Sequence, residues 1–330
     1  MTSIASAENY ALAIHGGAGT LLRSEMTADT EAQYRATLDQ ALNSGYTVLK
    51  NGGSSVDAVA AAIIVMEDSP LFNAGIGAVF NSDGVNELDA SIMDGTTLKA
   101  GAIAGVHRIK NPVLLARAVM DKSIHVMLVG DGAEKFASEN GFELVDPKYF
   151  HTDWRWQQLQ IQKAKDAGAT KLSEDQDKPL PPKSAELLRS NDNKFGTVGA
   201  VARDKQGRLA AATSTGGMTN KRWGRVGDSP IIGAGTYANA LCAVSATGHG
   251  EYFIRANVAH DICARVEYLK HGIAQAGDDV IHDKLKKMGG DGGVIIIDRH
   301  GNVAMPFNTA GMYRAAIDAN GVKQLAIFKD

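Results

Sequence analysis

The stretch N-D-N-K-F-G-T-V-G-A-V-A-R-D, Asn191 to Asp204, changes character at one bond. A polar, lysine-bearing run ends at Phe195-Gly196, and a strand-like run begins at Thr197 with no helix between. Taken alone, this is an ordinary strand start: glycine marks many loop-to-strand junctions, and the branched threonine side chain packs well on a pleated surface. The other reading is chemical. Opening the Gly196–Thr197 bond would leave Thr197 with a hydroxyl nucleophile and a free α-amine on one residue. An α-amine, with a pKa of about 7.7–8.0, is a far better base at neutral pH than a lysine.

Downstream, the pattern is that of a hairpin: T-V-G-A-V-A, the turn R-D-K-Q-G-R, then L-A-A-A-T-S-T ending at Thr215. Thr197 and Thr215 open and close it, so the two lie across a strand spacing of about 5 Å and their hydroxyls can hydrogen-bond. Upstream, Gln157 to Lys194 contains no aromatic residue and carries three of the eight prolines. That composition reads as a flexible linker over residues 157–196, feeding into the junction. A second hairpin, G-G-V-I-I-I-D, R-H-G-N and V-A-M-P-F, is expected to close the chain. Ile254, Val258, Ile262 and Val266 recur every four residues, predicting one helix from Glu251 to about Leu269.

In the first half, strands are expected at Tyr10–Ile14, Glu87–Met93, Lys99–Val106 and His125–Val129. Helices are expected at Asp29–Leu49, from Ser54 or Ser55 to Met66, at Val113–Met120, and from Val129 to Asn140. Glu67 to Phe80 reads as a turn-rich loop entering a strand. This order suggests antiparallel sheets covered by helices, a layered α/β or α+β body.

The 330 residues suffice for a large core, and 44% hydrophobic with 22% charged content is ordinary for a globular chain. A net charge of −3 without a basic block argues against nucleic acid as the main partner. Two cysteines, Cys242 and Cys263, are too few for a disulfide framework, and a reducing compartment fits best. No signal-like start is visible, and A-V-A-A-A-I-I-V-M at 58–66 falls short of the roughly 20 residues that span a bilayer. The expectation is a cytoplasmic protein. Glycine stands out with 36 residues in clusters such as H-G-G-A-G at 15–19 and T-G-H-G at 247–250, which suggests a site built from main-chain groups. No phosphate loop, H-E-x-x-H or G-x-S-x-G pattern occurs.

Other candidate groups follow. Thr247-Gly248 precedes the predicted helix, where unpaired N–H groups and partial positive charge suit an oxyanion; a plain N-cap is the alternative. In G-R-V-G-D-S-P, Arg225 can clamp a carboxylate and Asp228 can accept from an ammonium, the two charges of an amino acid; a surface ion pair in a turn is the alternative. His15 either lines a site or supports the glycine loop.

Eight blocks in order carry a resemblance: H-G-G-A-G, P-L-F-N-A-G-I-G-A-V-F, E-L-D-A-S-I-M-D-G, K-A-G-A-I-A-G-V, G-T-V-G-A-V-A, A-T-S-T-G-G-M-T-N-K, G-R-V-G-D-S-P and T-G-H-G-E. Over nearly its whole length the chain resembles the isoaspartyl peptidases with L-asparaginase activity, the plant-type or type III asparaginases. The resemblance implies an N-terminal nucleophile hydrolase with an α+β, four-layer αββα sandwich. It implies self-cleavage into an α chain of residues 1–196 and a β chain of residues 197–330, assembled as a dimer of αβ pairs, a heterotetramer.

By motif position, Thr197 is then the nucleophile and Thr215 its hydrogen-bond partner. Thr247 and Gly248 form the oxyanion hole, Arg225 and Asp228 hold the α-carboxylate and α-amine, Gly250 adds a carbonyl, and Asn73 lines the site. No catalytic cofactor is implied. A structural sodium ion is implied, on main-chain carbonyls of Met66, Glu67, Ser69, Phe72, Ala74 and Ile76. The expected substrates are β-aspartyl dipeptides and L-asparagine. Rival expectations are a glycosylasparaginase-like amidase, a non-catalytic amino-acid-binding relative and, more distantly, a taspase-like proteolytic role.

Overall fold

A computed structural model describes residues 9–19, 21–166 and 196–329. β1 (Ala11–Gly19) runs through the first glycine cluster rather than stopping before it. α1 (Ala28–Lys50) and α2 (Ser55–Glu67) follow. α2 begins where Ser54, in an extended conformation, accepts from the Asp57 N–H, which satisfies a donor that the first helical turn leaves open. Next come β2 (Leu88–Asp94), β3 (Ala100–Val106), α3 (Pro112–Lys122), β4 (Met127–Val129) and α4 (Gly130–Glu139). The strand expected at the end of the 67–80 loop is reduced to a single bridge between Phe80 and Asn86.

The expected linker starts as a helix, α5 (Asp153–Asp166). Its polar composition conceals a buried pair four residues apart, Arg155 and Leu159, and Arg155 Nε donates to the Gly77 carbonyl at 2.7 Å. The remainder of the expected linker, residues 167–195, lies outside the described residues. The junction hairpin forms as expected, with β5 (Val198–Arg203) and β6 (Leu209–Thr215) in antiparallel register, Val198 opposite Ser214.

β7 (Thr236–Ala238) and β8 (Cys242–Gly248) were not anticipated. The long helix after them is split by Asn257, at φ 50°, into α6 (Gly250–Ala256) and α7 (Val258–Tyr268). The period of four runs through the break and hides it. Asparagine tolerates the left-handed conformation, and the new helix start is held from outside, Ala259 N and His260 N donating to the carbonyls of Ala234 and Gly233. After α8 (Ile273–Asp278), β9 (Gly292–Asp298) and β10 (Val303–Ala304) form the second hairpin. It does not close the chain, because β11 (Gly311–Ile317) and β12 (Lys323–Phe328) follow.

The strands make an eight-stranded sheet, β12-β11-β1-β5-β6-β2-β3-β4, and a four-stranded sheet, β10-β9-β8-β7. Their pairs are antiparallel apart from β3 with β4. Successive side chains of a strand point to opposite faces, and the two sets separate cleanly. Leu12, Ile14, Val198, Ala200, Ala202, Ala210 and Ala212 pack with α1, α2 and α3 in one apolar cluster. The alternate residues Ala11, Ala13, Val201, Ala211, Ala243, Ile295 and Ile297 share another, contributed by both sheets. A third cluster joins the four-stranded sheet to α7 and α8 through Val244, Ala246, Ile262 and Ile296. Each fully buried Val, Ile or Leu contributes roughly 1.5–3 kcal/mol, and a one-residue slip in β5 would carry Val198 and Val201 to the wrong faces. By this parity His15, Asp89, Ser91, Thr197, Thr213, Thr215, Thr236, Ser245 and Thr247 all lie on the faces that the two sheets turn toward each other. No helix among the described residues is long and apolar enough to cross a membrane.

Cys242 and Cys263, read from sequence as too few for a disulfide framework, are joined in a bond between β8 and α7 with Cα atoms 5.5 Å apart. Sequence spacing does not reveal this, because strand and helix are brought together only by packing. Closing a loop with a sequence separation of 21 stabilises by about 3 kcal/mol through the unfolded chain. Cys263→Ala is therefore expected to lower the apparent Tm by about 4 °C; an unchanged melting curve would mean that the bond is not formed in solution.

Candidate active site

Thr197 is buried at the start of β5, and its hydroxyl donates to Thr215 Oγ1 at 3.0 Å. Thr215 Oγ1 also accepts from the Gly217 N–H at 3.0 Å, so its position is set by backbone on the far side. The carbonyl of Gly196, the group that Thr197 would attack, accepts from the Asn73 N–H at 3.0 Å. Asn73 is fixed in turn: its Nδ2 donates to Gly217 O at 2.7 Å and its Oδ1 accepts from Val79 N at 2.9 Å. A Cβ on Gly196 would lie 2.6 Å from Asn73 Cβ. Glycine there allows this close approach, and the Gly196–Thr197 junction, Asn73 and Thr215 form one cluster.

Thr247 and Gly248 end β8 on the face shared by the sheets. Thr247 Oγ1 accepts from the Ala18 N–H at 3.3 Å, joining this strand end to the H-G-G-A-G segment. Gly248 has no room for a side chain, since a Cβ would meet Asp291 O at 2.4 Å. The helix beyond is the seven-residue α6, so its dipole is smaller than that of the single long helix expected from sequence.

Arg225, Asp228 and Gly250 meet: a Cβ on Gly250 would stand 2.8 Å from Arg225 Nη2 and 2.9 Å from Asp228 Oδ1. The expected alternative, a direct ion pair between Arg225 and Asp228, is not what forms. Arg225 Nε and Nη2 donate to the two carboxylate oxygens of Glu251 at 2.9 and 3.0 Å, a bidentate contact that fixes the guanidinium plane. Asp228 is buried with Oδ2 lacking a hydrogen-bond partner. Burial pushes its carboxyl up to about 7, opposed by the backbone hydrogen bond and then by the Arg225 charge. A buried carboxylate oxygen of this kind is one that a donor or cation would satisfy.

Some site residues escaped the sequence reading. Glu251 appeared only as a helix start. Lys221 is buried, donates to Glu87 O at 3.1 Å, and lies 3.4 Å from Glu87 Oε2 and 4.0 Å from Asp89 Oδ2. Asp89 stands opposite Thr215 in the β2–β6 ladder, so this buried ion cluster backs the Thr215 turn. Its residues stood inside the quoted blocks, E-L-D and T-N-K, but a buried lysine and a solvated one read alike in sequence. His15 bridges the sheets, with Nδ1 3.0 Å from Thr197 O and Nε2 3.0 Å from Ser245 Oγ. Burial lowers its pKa to about 3, against a raising contribution from the hydrogen bond to Thr197.

Met66, Glu67, Ser69, Phe72, Ala74 and Ile76 fall at the end of α2 and in the loop after it. Carbonyls crowd inward there: a Cβ on Gly75, at φ 51°, would lie 2.2 Å from Glu67 O, and one on Gly77 would lie 2.0 Å from Phe72 O. Met66 O accepts from Ser69 N at 3.3 Å and Ala74 O from Gly77 N at 3.1 Å, each keeping a second lone pair. Among the described residues no cluster of His, Cys, Asp and Glu side chains could hold a metal.

Residues 8–327 match the profile of a family described as asparaginase. The chain is 51% identical over 320 residues to a protein of Escherichia coli strain K12 named isoaspartyl peptidase, covering 97% of this chain and 96% of that one. It is 40% identical over 332 residues to an Arabidopsis thaliana protein named probable isoaspartyl peptidase/L-asparaginase 2, with 97% and 99% covered. It is 43% identical over 307 residues to a plant-type L-asparaginase of Pyrococcus abyssi, with 92% and 94% covered. The match to the family profile over nearly the full length, together with these identities, shows that the chain belongs to the asparaginase family.

Proposed function

We propose that this chain is an autoproteolytically activated amidohydrolase that releases L-aspartate from β-aspartyl dipeptides and from L-asparagine. The observation that carries the reading is the junction itself: a Thr197 hydroxyl bonded to Thr215 at 3.0 Å, beside a Gly196 carbonyl that already accepts an N–H from Asn73. In maturation, Thr197 Oγ attacks the Gly196 carbonyl carbon and the Asn73 N–H supports the oxyanion. The C–N bond breaks as the nitrogen takes up a proton, balancing the one that the Thr197 hydroxyl gives up on attack, and an ester is left on Oγ. Water hydrolyses that ester, giving a Gly196 carboxylate and a free amine on Thr197.

In turnover the Thr197 amine takes the hydroxyl proton while Oγ attacks the substrate's side-chain carbonyl. Thr247 Oγ1 and the Gly248 N–H receive the oxyanion, the leaving amine carries off a proton, and water releases aspartate from the β-aspartyl ester. Asp228 and the Gly250 carbonyl take the α-ammonium, and Arg225, oriented by Glu251, takes the α-carboxylate. Uptake of β-aspartyl-leucine and of asparagine, with no hydrolysis of a glycosylated asparagine, is the expected pattern. The reverse preference would replace this reading with a glycosylasparaginase.

The four-layer αββα arrangement is supported by helices on the outer face of each sheet and an apolar layer between the sheets. The carbonyls that crowd the loop after α2 suit a sodium ion, a hard cation served by oxygen, held by Met66, Glu67, Ser69, Phe72, Ala74 and Ile76. Pairing of αβ units is favoured by the edge strand β4 and its approach, where Ile124, Val126, Met127 and Val129 are exposed; such an edge invites a partner. A cytoplasmic location rests on composition alone, and the Cys242–Cys263 bond pulls against it.

A further inference from the structure

Between the two sheets runs a continuous line of buried hydroxyls. Ser91 Oγ lies 2.8 Å from Thr236 Oγ1 and 2.6 Å from Ser229 O. Thr236 Oγ1 lies 2.6 Å from Thr213 Oγ1, and Thr213 Oγ1 lies 2.7 Å from Ser245 Oγ. Ser245 Oγ meets His15 Nε2 at 3.0 Å, and His15 Nδ1 meets Thr197 O at 3.0 Å. Ser91, Thr236, Thr213, Ser245 and His15 are all 0% exposed. Gly199 leaves the space for this line, since a Cβ there would fall 2.0 Å from Ser245 Oγ and 2.3 Å from His15 Nε2.

Proton counting fixes the direction of the line. A carbonyl oxygen only accepts, so His15 Nδ1 carries the hydrogen that meets Thr197 O. His15 is neutral and holds one ring proton, so Nε2 is bare and must receive from Ser245. Ser245 has then used its single hydrogen, and the 2.7 Å contact requires Thr213 to donate to it. By the same count Thr236 donates to Thr213. The other carbonyl near Thr213 Oγ1, Gly235 O at 3.2 Å, is the more distant acceptor. Giving the proton to it would leave two oxygen lone pairs facing each other in a buried site, which is costly. Thr236 Oγ1 also has Ser229 O at 3.3 Å, again more distant than Thr213 Oγ1 at 2.6 Å, so every link from Thr236 onward points toward Thr197.

We propose that Thr236, Thr213 and Ser245 are positioning residues of the reaction: with His15 they form a one-way hydrogen-bond line that anchors the Thr197 carbonyl and so aims the amine and hydroxyl of the freed N-terminus. The proposal rests on Thr197 being the nucleophile. Before cleavage the junction is also held through Gly196, by Asn73. After cleavage that hold belongs to a different chain end. Thr197 then keeps its bond to Thr215, the ladder that begins at Val198, and its carbonyl on His15. The carbonyl bond fixes the peptide plane after Thr197, and with it the direction of the two reacting groups. At its other end the line touches the carbonyl of Ser229, beside Asp228, so the same strut spans from the nucleophile to the loop of the ammonium clamp.

Paired substitutions separate positioning from packing. Thr213→Val keeps the shape and deletes the hydroxyl, whereas Thr213→Ser deletes a methyl and keeps the hydroxyl. With turnover normalised to the mature β chain, the valine variant is expected to lose about 10- to 100-fold in kcat, with KM within about threefold of wild type. The serine variant is expected to keep its kcat although its packing is poorer. Thr236→Val and Thr236→Ser, one link further away, repeat the comparison should Thr213→Val fail to fold. Nitrogen NMR of histidine-labelled protein reads the line without turnover: His15 is expected to stay neutral and protonated on Nδ1 in the wild type, and to lose that fixed tautomer in the valine variant. A valine variant as fast as wild type, valine and serine variants that fall alike, or a wild-type His15 protonated on Nε2 would each overturn the proposal. A wild-type protein that does not hydrolyse β-aspartyl-leucine while His15 keeps the Nδ1 proton would instead strike at the hydrolase reading and leave the line in place.

Discussion

A Thr197→Ala protein is expected to persist as one polypeptide of 330 residues and to lose β-aspartyl-leucine hydrolysis by about 10,000-fold or more, the size of loss that follows removal of a nucleophile. Both effects come from one atom. In the proposed mechanism the hydroxyl that donates to Thr215 at 3.0 Å is the nucleophile toward Gly196 in maturation and toward the substrate in turnover. Alanine leaves Val198 and the β5–β6 ladder untouched, so the fold and the thermal transition should survive. Thr197→Ser restores a hydroxyl and is expected to recover both cleavage and turnover in part. Denaturing electrophoresis and a coupled aspartate assay read the two effects side by side. An alanine variant that still separates into two chains would remove Thr197 from the role.

Asp228→Asn is expected to act in opposite directions on function and stability. Replacing a buried carboxylate that faces an ammonium costs binding by about 2–5 kcal/mol, so kcat/KM should fall by about 100-fold, mostly through KM. The carboxyl is raised from its ordinary 3.8 to about 7, first by burial. A buried acid of this kind costs the folded state nothing below its unfolded pKa. The cost grows as pH rises through that window and is complete above about 7. The neutral amide avoids it, so Asp228→Asn should melt higher than wild type at pH 8, with the difference shrinking toward zero as pH falls to about 3.

Turnover carries the same signature. In the free enzyme both Asp228 and the Thr197 amine must lose a proton, so the acid limb of kcat/KM should be steeper than one proton. In the complex the bound ammonium already holds Asp228 ionised, so the kcat limb should follow the amine alone, near its usual pKa of about 7.7–8.0. In Asp228→Asn the kcat/KM limb should relax to one proton. A limb that keeps its slope would place the second ionisation elsewhere.

How far the sequence could be read depended on whether a feature was local. The junction hairpin was legible because period-two alternation, a Gly-containing turn and its two threonines all lie within nineteen residues of one another, Thr197 to Thr215. α2 was legible from Ser54 and an unbroken apolar run. Where one residue overrides a period the reading failed: Asn257 divides a helix whose spacing of four continues across the break. No element was expected over β8, whose strand character comes from the seven-residue ladder with β9. The latter part of α5, residues 157–166, reads as linker because the helix's buried positions are an arginine and one leucine.

The site divides in the same way. Residues proposed for the chemistry sat in short recognisable blocks, and the structure gathers Thr197, Thr215 and Asn73 in one cluster and Arg225, Asp228 and Gly250 in another. The residues that hold them were invisible. Ser91, Thr213, Thr236 and Ser245 are small hydroxyls in strands, the commonest place to find them, and only the stacking of one sheet on another reveals that they touch. The same holds for Cys242 with Cys263, and for Lys221 with Asp89.

The central claim is that the strand at Thr197 begins where a chain begins. Intact mass spectrometry of the purified protein, under denaturing conditions without reductant, tests it in one measurement. The account predicts two species: a β chain running from Thr197 to Asp330, its mass lowered by the two hydrogens lost in the Cys242–Cys263 bond, and an α chain ending at or before Gly196. A single species at the full 34.8 kDa, from protein that hydrolyses β-aspartyl-leucine, would contradict it.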